Sequence, residues 1–72
     1  MSKKIKKFKV DQWVLFCTFP DSEFETLRNE RKRALILYVL PDKDMYDYEI
    51  FIDDGSSRIK KVKQENLFEL NK

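Results

Sequence analysis

Residues 46–63 read YDYEIFIDDGSSRIKKVK. Tyr46, Tyr48, Ile50 and Ile52 alternate with Asp47, Glu49, Phe51 and Asp53. That period of two marks a strand with one buried face, and Phe51 is the exception on the outer parity. Asp54-Gly55 then predicts a tight hairpin turn, because glycine takes a positive φ without steric penalty. The basic run SSRIKKVK, residues 56–63, returns as the next strand.

Working outward, ALILYVL (34–40) is the most hydrophobic run and stops at the turn signal Pro41-Asp42. Its length suits a strand and is too short for a buried helix. VDQWVLFCTF (10–19) is enriched in aromatic and β-branched residues, as strands are. Trp13, Leu15, Cys17 and Phe19 share one parity, and Val14, Phe16 and Thr18 the other. Both faces are largely apolar, so this strand is either covered twice or presents a hydrophobic surface. Pro20 ends it. Between these strands lies PDSEFETLRNERKR (20–33), which contains no glycine. Phe24 and Leu27 are three apart, and Asp21 or Ser22 would cap a helical turn, with Glu25 three residues after Ser22. A short helical turn or a long ordered loop is expected there, and such loops often carry function. QENL (64–67) predicts a single 3₁₀ turn, and LFEL (67–70) closes the chain as a last strand.

Five short strands in about 60 residues bury a core only by curling into a small barrel, which also removes unpaired edges. The expected fold is all-β, a five-stranded small barrel with one short 3₁₀ turn before the last strand. Its core should comprise Val14, Phe16, Ala34, Ile36, Tyr48 or Ile50, Ile52, Val62, Leu67 and Leu70.

The chain has 72 residues, 42% hydrophobic, 39% charged and 14% aromatic. That allows one domain hiding roughly 60% of its unfolded surface, with rings supplying much of the core. No apolar run approaches the roughly 20 residues of a membrane span, and no signal-peptide pattern follows the N-terminal lysines. The single Cys17 forms no internal disulfide, which fits a reducing intracellular site, cytoplasmic or nuclear. A start at Met1 followed by lysines is what a complete small protein would present.

Catalysis finds little footing. There is no His, and one Cys, so zinc sites and His-based triads are excluded. Asp53 and Asp54 are explained by turn chemistry. Asp42, Asp44, Asp47 and Glu49 lack the glycine of a calcium loop. One Gly in the whole chain leaves no phosphate-cradling loop, and Cys17 reads as inert core. No enzyme, cofactor or metal is expected.

Charge alternates along the chain. Residues 1–9 carry five Lys and no acid, residues 10–27 hold Asp11, Asp21, Glu23 and Glu25 without a base, and residues 28–33 return to Arg28, Arg31, Lys32 and Arg33 against Glu30. Six acids face Lys43 over 34–55, and five bases face two acids over 56–72. The expected organisation is a basic N-terminal arm, 1–9, and a barrel domain, 10–72. The arm is either a solvated tail or a contact, through Lys3, Lys4, Lys6 and Lys7, to nucleic acid or to an acidic partner.

The pattern A-x-I…Y-x-I-x-I-D-D-G…V…E-N-L resembles the Tudor-type, SH3-like small barrel. It is formed here by Ala34, Ile36, Tyr48, Ile50, Ile52, Asp53-Asp54-Gly55, Val62 and Glu65-Asn66-Leu67. Val10-Asp11-Gln12-Trp13-Val14 is similar to the family's opening, with Asp11 where Gly is usual. The resemblance spans roughly 10–70 and implies a binding module. Many members hold methylated Lys or Arg in an aromatic cage, where a desolvated cation meets π faces. Here Lys32, Ile52 and Ser56 stand where the family often has aromatics. The cage remnants are Trp13, Phe16 or Phe19, with an acidic wall from Asp53 or Asp54.

Other barrels of this kind bind nucleic acid, or dock peptides and proteins. The candidate bases are Arg28, Arg31, Lys32 and Arg33, then Arg58, Lys60, Lys61 and Lys63, beside the rings Phe8, Trp13, Tyr38 and Tyr46. The sequence-based expectation is a non-enzymatic adaptor for nucleic acid or a nucleic-acid-associated protein. It would work through loop 20–33 and the exposed side of the first strand, with Trp13 and Phe19 as anchors. The alternative is a protein- or methyl-peptide-binding module that uses the apolar second face of that strand or an open edge. A homodimer burying that face is a third expectation.

Overall fold

Side chains alternate in direction along every strand of this chain, and the apolar parity of each is sent to one side. The computed structural model describes residues 5–70. It contains β1 (Trp13–Cys17), the four-residue helix α1 (Glu25–Arg28), β2 (Arg31–Val39), β3 (Tyr48–Ile52), β4 (Arg58–Val62), a 3₁₀ turn (Gln64–Asn66) and β5 (Leu67–Glu69). The strands form one antiparallel sheet in the order β4-β3-β2-β1-β5. The all-β, five-stranded expectation with a 3₁₀ turn before the last strand is met, and the architecture fits a small β-barrel.

The sheet is not closed. β4 and β5 are its edges and do not pair with each other, so curling does not remove the edges as expected. Short length protects β5, and the charged residues Arg58, Lys60 and Lys61 protect β4, both known ways of blunting an edge.

The inner face packs Val14, Phe16, Ala34, Ile36, Tyr48, Ile50, Ile52, Val62 and Leu67. Tyr48 and Ile50 are both buried, which resolves the choice left open, while Leu70 is only half-buried. Cys17 is also buried, under the carbonyls of Leu27 and Arg28 at the end of α1.

Residues 5–8 of the expected arm pack against the sheet and the 3₁₀ turn. Phe8 is 2% exposed and belongs to the core, where its ring meets Tyr48 edge-on at 5.8 Å. Its N–H donates to Tyr48 Oη (3.1 Å), and that hydroxyl donates to Gln64 Oε1 (2.5 Å). Gln64 also accepts from Lys7 N (2.8 Å) and donates to Ile5 O (3.1 Å). Lys6 Nζ lies 3.4 Å from Asp47, which is buried, and 2.9 Å from Leu40 O. The chain thus straps residues 5–8 across the 3₁₀ turn by satisfying each polar group it buries. Lys3 and Lys4 lie outside the described residues.

Several boundaries move. The first strand begins at Trp13 rather than Val10, because Asp11 turns the chain at φ 70 and donates to Ile36 O at 2.8 Å. A positive φ is where glycine is favoured and aspartate is among the tolerated exceptions. The second strand starts at Arg31 rather than Ala34, so Arg31, Lys32 and Arg33 belong to the sheet and not to the loop. The third starts at Tyr48 rather than Tyr46. The tight Asp54-Gly55 turn is replaced by a five-residue connection, 53–57, with Gly55 at φ 89 and Ser57 at φ 55, since the register pairs Ile52 with Arg58. Ser22 does not cap α1 but accepts from Phe24 N at 3.0 Å, two residues ahead of the N-cap position that Phe24 itself occupies.

Candidate functional site

Strand register decides which of the candidate residues meet. Trp13 pairs with Leu35, Leu35 with Phe51, and Phe51 with Ile59. This row crosses four strands on the outer face, opposite the core. Trp13 is 37% and Ile59 61% exposed, and Leu35 and Phe51 are half-buried. The adjoining row pairs Phe68 with Leu15 and Leu15 with Arg33. Two arginines lie across these rows. The Arg33 guanidinium sits 4.9 Å from the Trp13 ring centre, and that of Arg31 sits 4.3 Å from Phe68, reaching over β1. Each stack is worth about 0.5–1 kcal/mol at an exposed site, and it holds a cation in place above an apolar floor. Trp and Arg together on a partly desolvated patch is the composition of interface hot spots.

β1 sends Trp13 and Phe16 to opposite faces of the sheet. Phe16 is buried at the gap between the two edges, with Lys60 Nζ 5.6 Å from its ring. A cavity of about 140 Å³ opens there, lined by Phe16, Thr18, Tyr46, Lys60, Lys61 and Asn66 among others. Asp53 and Asp54 lie in the 53–57 connection, and Asp54 is bound to this chain's own bases. Its carboxylate takes Lys32 Nζ and Arg58 Nη2, each at 3.1 Å, and accepts from the Ser56 hydroxyl and N–H. The cage remnants therefore do not converge.

The bases are split in the same way. Arg31 and Arg33 share the outer face, Lys32 and Arg58 meet at Asp54, and Lys60 lies over Phe16. Lys61 stands opposite Glu49 and 4.0 Å from Asp44, and Arg28 is exposed at the end of α1. Phe19 is 54% exposed and lines a separate groove of about 490 Å³ with Pro20, Asp21, Phe24 and Leu27.

Ser56, then Lys32 and Arg58, hold the Asp54 carboxyl well below the usual carboxylate range. Because the folded-state value is the depressed one, this contribution to stability is present above the unfolded value near 3.9. It fades as pH falls below that value toward the folded one. Asp54→Asn is therefore expected to melt below the parent at pH 7, and the gap should narrow as pH drops below about 4. Thermal melts from pH 2 to 8 check this, and a constant gap would contradict it.

The site residues that sequence reasoning missed are Leu35, Phe51, Ile59 and Phe68. One signal pointed to them, Phe51 on the polar parity of its strand, but the register that lines them up comes only from pairing. Among the described residues there is no cluster of Cys, Asp and Glu that could hold a metal ion and no helix long and apolar enough to cross a membrane. Compared with known proteins, the chain matches no family model, no curated protein and no solved structure.

Proposed function

We propose that this chain is a non-enzymatic binding module of the Tudor-like, SH3-like small-barrel type that docks a protein partner on the outer face of its sheet. The five antiparallel strands with a 3₁₀ turn before the last support the barrel type. The observation that carries the binding role is the row Trp13-Leu35-Phe51-Ile59 with Arg33 and Arg31 stacked beside it on Trp13 and Phe68. The partner it fits is an apolar segment with carboxylates at alternate positions. Arg31 and Arg33 are two residues apart on one strand, about 6.6 Å, which is the spacing of alternate residues in an extended segment. Pre-stacked guanidinium planes lose less freedom when they meet a carboxylate.

Nucleic acid, the leading expectation from the sequence, calls for a contiguous run of cations to neutralise phosphates. Lys32, Arg58 and Lys61 instead lie against carboxylates of the same chain, which favours the protein reading. Peptide display on the intact protein tests it, with counter-selection against Trp13→Ser/Arg33→Glu. Enriched peptides should carry paired acids among apolar residues and bind the parent at least about tenfold more tightly than the variant. No enrichment over the variant would overturn the reading. So would an oligo-dT probe that binds more tightly than any peptide and weakens steeply between low and physiological salt, which would restore the nucleic-acid reading.

A further inference from the structure

We infer that the occupant of the outer face is the 19–25 loop of a second copy of this chain, in a reciprocal two-fold dimer. This rests on the docking reading above and names its partner. The loop reads FPDSEFE, with Asp21, Glu23 and Glu25 at every second position and Phe19 and Phe24 between and before them. The loop is turned rather than extended, with Ser22 N donating to Phe19 O at 3.3 Å and Glu25 opening α1, so it answers the face through its acids and exposed rings, set against Arg31 and Arg33, and not through strand spacing.

The loop offers itself for contact. Phe24 is 68% and Phe19 54% exposed, large apolar rings left in water. Together with Pro20 and Leu27 they line an open groove with Asp21 on its rim. Single exposed rings are common, but two on one groove rimmed by acid mark an interaction site.

Loop and face also lie side by side on one molecule. The carbonyls of Leu27 and Arg28, at the end of α1, cap Cys17 Sγ at 3.4 and 3.5 Å. Cys17 is the outward residue of β1 that pairs with Arg31. Adjacent patches of opposite sign are what a two-fold contact requires, since each copy then gives its loop and receives the other's. Two reciprocal contacts bury twice the area of one, which favours the two-fold arrangement because specific interfaces start at about 1,200 Å². Edge-to-edge pairing is the less suitable route. β4 against another β4 would set Arg58, Lys60 and Lys61 beside their own kind, and like charges opposite one another destabilise a ladder.

The test is a charge swap read by sedimentation of the full chain from about 5 to 500 μM. The parent should shift from monomer to dimer with a Kd of roughly 10–100 μM, as a small, partly polar interface allows. Asp21→Lys/Glu23→Lys sets Lys against Arg in both contacts, and Arg31→Glu/Arg33→Glu sets acid against acid. Each should raise Kd at least about tenfold. An equimolar mixture of the two variants should dimerise again, because both contacts then pair opposite charges. That rescue also shows that both variants are folded. A parent that stays monomeric over this range overturns the inference, as does a mixture that fails to associate. The selected peptides separate the two readings. If they bind the outer face of a monomeric parent, the dimer fails and the docking face stands. If nothing binds that face, both fail.

Discussion

Phe8→Ala is expected to destabilise the protein by about 3–5 kcal/mol, the usual cost of truncating a buried phenylalanine. A 72-residue chain has a total stability of roughly 4–11 kcal/mol at typical values per residue, so this one truncation would remove a large share of it. The physical reason is that Phe8 lies within the core, edge-on to Tyr48, although it sits in a lysine-rich segment outside the strands. Its removal leaves a cavity beside Tyr48. It also loosens the strap that supplies an N–H to the Tyr48 hydroxyl. Ile5→Ala is the control. Ile5 is 83% exposed, and its truncation should change stability by less than about 0.5 kcal/mol. Urea titration of both variants decides the matter. A loss below about 1 kcal/mol for Phe8→Ala would mean that the barrel stands without its strap.

Removing the Lys6 ammonium is the second large effect. Lys6→Ala should cost about 1–3 kcal/mol, since it withdraws one cation from the buried Asp47 carboxylate and one donor from Leu40 O. Asp42, 3.7 Å from the same ammonium, is more exposed and contributes less. Asp47 keeps the Gln64 N–H at 2.8 Å, which holds the loss below that of a wholly stripped charge. The pair is isolated by a double-mutant cycle with Lys6→Met and Asp47→Asn. The double variant is expected to recover at least about 1 kcal/mol relative to the sum of the single losses. Additivity within about 0.5 kcal/mol would assign the effect to packing of the lysine stem instead.

How far the sequence could be read follows from the range of each interaction. The strand at 48–52 was legible because YEIFI alternates with a period of two, which put Tyr48 or Ile50 and Ile52 in the core, while Ala34 and Ile36 came with the A-x-I of the family pattern. QENL announced its 3₁₀ turn through local composition alone. The loop at 53–57 was misjudged because Asp-Asp-Gly fits a tight turn as well as a longer one, and only the pairing of Ile52 with Arg58 distinguishes them. Arg31, Lys32 and Arg33 looked like loop residues because charge disfavours burial. On an exposed strand face it is tolerated, and stacking on Phe68 and Trp13 gives the two arginines a place there. For the candidate site, Trp13 and the arginines were legible as residue types suited to interfaces, whereas of their neighbours only Phe51 gave a signal, and Leu35, Ile59 and Phe68 gave none.

By itself the sequence determined the fold class, the strand-forming runs, most of the inner face and the exclusion of His-dependent chemistry. These depend on periodicity and residue type, which act over a few residues. The tertiary structure alone decided that residues 5–8 close the core, that the two edge strands stay apart, and that Asp54 gathers Lys32 and Arg58. It alone decided that one row of apolar side chains runs from Trp13 to Ile59 across four strands. The contacts among these join residues between 4 and 59 positions apart, and most of them are long-range. Such contacts are fixed by strand register and by the burial of groups that must find partners, and no local pattern in the chain encodes where those partners lie.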